Sequence, residues 1–192
     1  MTLFVCTANI CRSPIAERLA LSVWGTGSPI AVISAGTHAT AGRPMAAEAA
    51  DALRELGGDP EGFVSRPLSV ALIQAADLVL TSTTAHRRDV VTLLPRASAR
   101  TFTIAEFGAL AAAAPAREPV PKGDDDPVQL AHDLVAQVRG LRGLVRVSQV
   151  DVADPYGGPS RGYRAAARQI ATGLAPLFSS VPPRRPRALD VP

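Results

Sequence analysis

Lysine occurs once, at Lys122, cysteine twice, at Cys6 and Cys11, and aromatic residues make up only 4% of the 192-residue chain. Each scarcity excludes something. The single lysine stands in no G-x-x-x-x-G-K-[ST] string, so a nucleotide-binding phosphate loop is ruled out. So few aromatics, none interleaved with basic segments, leave no stacking surface for nucleic acid. Two cysteines five positions apart form no disulfide framework, and no basic stretch precedes the apolar N-terminus. A reducing, cytoplasmic setting without an export signal is therefore expected. No uninterrupted apolar run reaches the roughly 18 residues that a membrane span needs. His38, His86 and His132 are scattered, so the Cys-x4-Cys pair lacks the ligand spacing of a zinc site.

Hydrophobic residues account for 47% of the chain against 19% charged. Such a balance excludes wholesale disorder and supports one domain with a real core. The net charge is +3. Most of that excess sits in the final stretch, where Arg184, Arg185 and Arg187 face only Asp190, so the body is nearly neutral. The expected organisation is one domain over 1–180, with an insertion near 112–127 rich in proline and aspartate, and a basic Pro/Arg tail over 181–192.

Short apolar runs alternate with helical spacing. Leu3-Phe4-Val5 reads as a strand, followed by a loop and a helix with Ile15, Ala16, Leu19, Ala20 and Val23 on one face. Ser13 is the expected N-cap, Pro14 fits the first turn and Glu17 the positive end of the helix dipole. Further strands are expected at 31–35, 78–81 and 100–103. Helices are expected near 45–56, 70–75 and 85–94, along the apolar spacing from Ala131 to Val145, and over 160–178. This pattern predicts an α/β three-layer sandwich on a four-stranded parallel sheet, with ligand chemistry in the loop beyond the first strand.

That loop runs Cys6-Thr7-Ala8-Asn9-Ile10-Cys11-Arg12-Ser13. Successive amides in a tight turn form an anion nest, the helix start adds partial positive charge, and a guanidinium can grip two phosphate oxygens. The same field favours the thiolate of Cys6, a nucleophile at phosphorus, with Ser13 placed to hydrogen-bond it. Asn9 supplies a residue that tolerates left-handed backbone. The leaving oxygen needs a proton donor, for which Asp154 in Asp154-Pro155-Tyr156-Gly157-Gly158 is the candidate and Asp151 its rival.

The loop and the Asp154 segment together resemble the low-molecular-weight protein tyrosine phosphatase family of bacterial type. The similarity extends through Ser34–Thr37, Gly42–Pro44, Ala76–Thr81, His86-Arg87 and Phe102–Phe107. It implies a phosphocysteine intermediate on Cys6, phosphate binding by Arg12, loop shaping by Asn9, thiolate support by Ser13, and general acid then base catalysis by Asp154, with no cofactor or metal. It further implies phosphotyrosine-containing protein partners, such as bacterial tyrosine kinases or polysaccharide-export regulators, and a reversible disulfide between Cys6 and its redox partner Cys11. Two departures stand out: Ala8 replaces the family's usual glycine, and the pocket wall, often aromatic, is here His38-Ala39-Thr40, leaving Tyr156 as the clear wall residue.

Other readings share the fold. A phosphoarginine-specific branch carries Thr where Ile10 stands, so Ile10 favours phosphotyrosine. Thioredoxin-coupled arsenate reductases need further cysteines, absent after Cys11, whereas a thiol-cofactor-dependent reductase needs fewer. A catalytically weak phosphoprotein-binding or redox-sensing module is the reading of a different class.

Overall fold

The computed structural model describes residues 1–115 and 126–181. At its centre lies the strand β1 (Thr2–Cys6), buried at every residue. It pairs in parallel with β2 (Val32–Gly36) on one side and β3 (Leu78–Thr81) on the other, and β4 (Thr101–Thr103) follows β3. The order is β2-β1-β3-β4. A strand covered on both faces should read as a continuous apolar run, as Leu3-Phe4-Val5 does.

Alternate residues of β1 face opposite layers. Leu3 and Val5 join Val79, Ile73 and Val90 in one cluster, beneath α3 (Val70–Ala75) and α4 (Thr84–Leu93). Phe4 joins Leu80 and Phe102 in the larger cluster on the other face. That face is covered by α1 (Arg12–Trp24), α2 (Ala47–Arg54), α5 (Ile104–Ala113), α6 (Pro127–Leu141) and α7 (Ser160–Ser180). Helices α5 and α7 cross closely at Gly108, where a Cβ would stand 2.7 Å from the Cα of Gly173. The three-layer, four-stranded parallel architecture is the one the alternation predicts.

Boundaries differ in physically instructive places. The alanine run expected to begin the insertion continues α5 to Ala113, because Leu110 and Ala111 bury against the core. Asp126 caps α6, its carboxylate accepting from Val128 N at 3.1 Å with Pro127 in the first turn. Helix α6 stops at Leu141, short of the expected Val145, because Arg142 turns inward. Its guanidinium stacks on the Phe102 ring at 3.8 Å and donates to Glu106 Oε1 at 3.0 Å and the carbonyl of Thr101 at 2.7 Å. Val181, expected in the tail, is buried, and its carbonyl accepts from Trp24 Nε1 at 2.8 Å. The remainder of the expected insertion, 116–125, and of the tail, 182–192, lies outside the described residues. Among the described residues no helix is long and apolar enough to cross a membrane.

Candidate active site

Strand β1 ends at Cys6, the chain turns through Thr7–Cys11, and α1 begins at Arg12. Asn9 sits mid-turn with φ 54°, the one non-glycine residue of positive φ among the described residues. Three hydrogen bonds hold it there: Oδ1 accepts from Arg66 N at 2.8 Å, and Nδ2 donates to Ser13 Oγ at 2.9 Å and Ser34 Oγ at 2.8 Å. Ala8, where the family usually has glycine, keeps negative φ, so its Cβ carries no left-handed strain. The N–H groups of Thr7–Cys11 make no hydrogen bond to another protein group among the described residues. A turn that gathers unpaired amides ahead of a helix start is an anion seat. Gly36 beside it must remain bare, because a Cβ there would crowd the Thr7 carbonyl and stand 2.9 Å from Asn9 N.

Ser13 is not the N-cap. Helix α1 starts two residues earlier than that cap would place it, at Arg12 after Cys11, and has no side-chain cap. The Ser13 hydroxyl instead lies 2.9 Å from Cys6 Sγ. Ser13 Oγ accepts from Asn9, and its single hydrogen has two acceptors in reach, the sulfur and, at 3.4 Å, the Ala35 carbonyl; a Cys6 thiolate, which only accepts, draws it to the sulfur. Glu17 likewise departs from expectation. It lies in the second turn, is buried, and accepts from Ser34 Oγ at 2.5 Å. Burial pushes its carboxyl above the ordinary range, opposed by the Ser34 hydrogen bond and by Arg66. Asn9 therefore donates into two hydroxyls, one of which donates onward to the Glu17 carboxyl while the other lies against the Cys6 sulfur.

Arg12 is only 4% exposed. Its NH1 donates to the carbonyl of Val152 at 3.1 Å and its NH2 pairs with Asp154 Oδ2 at 2.7 Å. Its Nε is buried without a partner among the described residues, a donor whose desolvation cost an incoming acceptor would relieve. Asp154 also forms the local turn expected of an Asp-Pro segment, Oδ1 accepting from Tyr156 N at 3.3 Å. The rival Asp151 turns elsewhere, its carboxylate accepting from Thr84 N at 2.8 Å and from Thr84 Oγ1 at 3.2 Å. Asp151 thus fastens the segment to the start of α4 while Asp154 meets the guanidinium.

The structure joins Cys6, Ser13 and Asn9 in one hydrogen-bonded set and Arg12 with Asp154 in a second, the two meeting in sequence where Ser13 follows Arg12 at the start of α1. Ile10 is buried in the larger core cluster, its carbonyl accepting from Ala46 N at 2.9 Å. His38 is exposed, tied to the loop through its N–H, which donates to the Thr7 carbonyl at 2.9 Å. Tyr156 is exposed beside Asp154. Cys11 is a buried free thiol. Burial, then Cys6 and Asp154, push it up to about 12.

Sequence reasoning gives no role to Ser34, Val152, Thr83 or His86. The His86 ring sits between Thr7 Oγ1 and Thr83 Oγ1, 2.8 Å from each. A buried polar pair such as Ser34 and Glu17 leaves no local spacing signal, because its partners lie on different elements.

The sequence profile described as "Low molecular weight phosphotyrosine protein phosphatase" matches residues 1–141. Asp154 lies beyond that stretch, so its place in the site rests on its contact with Arg12. A protein-arginine-phosphatase of Geobacillus stearothermophilus is 31% identical over 170 residues, 88% of each chain. The low molecular weight protein-tyrosine-phosphatase Etp of Escherichia coli (strain K12) is 36% identical over 105 residues, 55% of this chain and 69% of that protein. Among solved structures, the YwlE arginine phosphatase from Geobacillus stearothermophilus superposes with a TM-score of 0.65 at 29% identity, covering 93% of this chain and 90% of that one. The Erwinia amylovora tyrosine phosphatase amsI reaches a TM-score of 0.67 at 20% identity, a likeness of fold. The chain belongs to the low molecular weight phosphotyrosine protein phosphatase family, cysteine-dependent hydrolases.

Proposed function

We propose that this chain removes phosphate from phosphotyrosine in proteins through a phosphocysteine intermediate. The observation that carries the reading is the pairing, at one strand-to-helix turn, of Cys6 Sγ against Ser13 Oγ with the ion pair of Arg12 and Asp154. The Cys6 thiolate attacks phosphorus and the bond to the aryl oxygen breaks. Asp154 gives its proton to that oxygen, and tyrosine departs. Asp154, now a carboxylate, takes a proton from water as the water attacks the phosphocysteine. The S–P bond breaks, orthophosphate leaves, and Ser13 receives the thiolate. Arg12 and the loop amides hold the equatorial oxygens, where negative charge is carried throughout.

Phosphotyrosine-containing proteins are the partners on this reading, and the family resemblance points to bacterial tyrosine kinases and polysaccharide-export regulators as their class. A second reading, phosphoarginine, is favoured by the relative that matches this chain over 88% of its length. Ile10 weighs for tyrosine. Hydrolysis of phosphotyrosyl and phosphoarginyl versions of one peptide, with vanadate and Cys6→Ser controls, decides between them. A kcat/KM ratio favouring the tyrosyl peptide supports the proposal, and the reverse ratio replaces it with the second reading.

Cys11 belongs to the same proposal. Peroxide converts the Cys6 thiolate to a sulfenic acid, which the Cys11 thiol displaces to a disulfide, releasing water. Because Cys11 is held protonated, this step is expected to be slow at neutral pH and to accelerate with alkali. After peroxide and then dithiothreitol, wild type should regain more activity than Cys11→Ser. Equal recovery with no disulfide by mass would leave Cys11 a packing residue.

A further inference from the structure

One buried titratable side chain against the loop has no part in the steps above. His86 stands in the first turn of α4 and is 6% exposed. Its Nδ1 lies 2.8 Å from Thr83 Oγ1, and its N–H donates to the same oxygen at 3.3 Å as the cap of the helix. Its Nε2 lies 2.8 Å from Thr7 Oγ1, although Thr7 is 79 positions away. Capping α4 requires only Thr83 and a backbone N–H, which any residue but proline would supply. It does not explain why the third helical position is a buried imidazole with both nitrogens facing hydroxyls.

A neutral imidazole has one donor and one acceptor, and each threonine hydroxyl offers both, so the three groups close a satisfied chain in either tautomer. Thr7 directly follows Cys6, and its carbonyl is already fixed by His38 N at 2.9 Å. The His86 contact is a second tether, on the side chain. A residue held at carbonyl and hydroxyl has little freedom to rotate the peptide plane that follows it, and that plane carries the Ala8 N–H of the anion seat. We propose that His86 is a positioning residue of the phosphatase site: its ring links Thr83, anchored at the head of α4, to Thr7, and so sets the turn of the phosphate-binding loop beside Cys6. This rests on the reading that the loop holds phosphate.

The ring's surroundings give the link a pH dependence. Burial first, and then Arg12 on α1, push His86 below its ordinary value. Asp89 on α4, with Asp154 and Asp151 on the opposing segment, pull the other way. The ring is therefore neutral at pH 7. Because the folded value lies below the unfolded one of about 6.5, His86 takes nothing from stability above that pH. Below it the unfolded chain binds the extra proton and stability declines.

The test compares wild type, His86→Ala, His86→Gln, Thr7→Val and the His86→Ala/Thr7→Val double variant. Melting temperature, orthophosphate dissociation constant by calorimetry and kcat/KM for an aryl phosphate are measured for each. His86→Ala should weaken orthophosphate and lower kcat/KM by about tenfold, the scale of a small misplacement of a binding group. His86→Gln should recover most of that loss, because its amide reaches the Thr7 hydroxyl from the same side. The double variant should be no worse than the worse single one. Imidazole ¹⁵N shifts in wild type should report a neutral ring at pH 7. Additive losses in the double variant, or unchanged orthophosphate affinity in a folded His86→Ala, would overturn the proposal. Should His86→Ala fail to fold, Thr7→Val carries the test: it must weaken orthophosphate while His86→Gln does not, and any other result counts against the link. If wild type hydrolyses no aryl phosphate, the functional reading fails, while the orthophosphate affinities still decide this one.

Discussion

Around Cys6 the side chains of Asn9, Ser13, Ser34 and Glu17 are all buried and answer one another, whereas around Asp154 the chain is open, with Asp154 53% and Tyr156 63% exposed. The first region is a fixture. Its left-handed Asn9, held by three hydrogen bonds, is the kind of backbone that persists only when its surroundings over-determine it. The second region is a tip on a tethered base. Val152 N donates to the Ser82 carbonyl at 2.8 Å, the Asp151 carbonyl accepts from Gln169 Nε2 at 3.0 Å, and the Tyr163 hydroxyl accepts from Gly157 N at 3.2 Å. The difference matches the tasks of the proposed reaction. Phosphate must be met by donors that do not reorganise, while a group that gives a proton and later takes one must exchange with water.

Breaking the fixture should cost most. Arg12→Lys keeps the charge but cannot hold the Val152 carbonyl, Asp154 and an anion through a planar fork. Its kcat/KM for aryl phosphates should fall by about 10³-fold, the upper range for losing one transition-state donor. A rate for Arg12→Lys close to that of wild type would show that fork geometry does not matter here. Altering the tip should have a selective effect. Asp154→Asn should slow esters of basic phenols by about 10²-fold and esters of acidic phenols far less, because protonation matters only when the leaving oxygen needs it. A leaving-group series with equal losses throughout would remove Asp154 from the proton-donor role. Loosening the base should do least. Asp151→Asn retains an acceptor for Thr84 N, so stability should drop by no more than about 1 kcal/mol. Turnover should stay within a few-fold, as thermal melts and steady-state rates will show. A collapse in rate comparable to that of Asp154→Asn would mean that the two aspartates share the task.

The same contrast explains what is legible without the structure. The loop can be read because its chemistry is packed into consecutive residues: a strand, Cys6, Asn9, and Arg12-Ser13-Pro14 at a helix start. The parallel sheet follows from apolar runs separated by helical spacing. Asp154 stands out by its Pro-Tyr-Gly-Gly context, and the structure brings it to Arg12 across most of the chain. What escapes a linear reading depends on proximity alone. Ser13 resembles an N-cap from its neighbours, and only the return of the chain onto Cys6 gives its hydroxyl another partner. Glu17 matches a dipole preference locally, but β2 brings Ser34 to it. His86 and Thr7 meet only because α4 starts beside the loop. The alanine run at 111–113 resembles the start of an insertion because composition does not report which alanines bury.

The central claim is that Cys6 itself carries the phosphoryl group. Rapid acid quench of wild type turning over an aryl phosphate, followed by peptide mass analysis, tests it directly, with Asp154→Asn used to slow hydrolysis of the intermediate and Cys6→Ala as the control. The account predicts one added phosphoryl group on the peptide containing Cys6, formed and lost at rates matching turnover and absent in Cys6→Ala. Turnover at an undiminished rate in Cys6→Ala, or a phosphoryl group that accumulates on another residue, would contradict it.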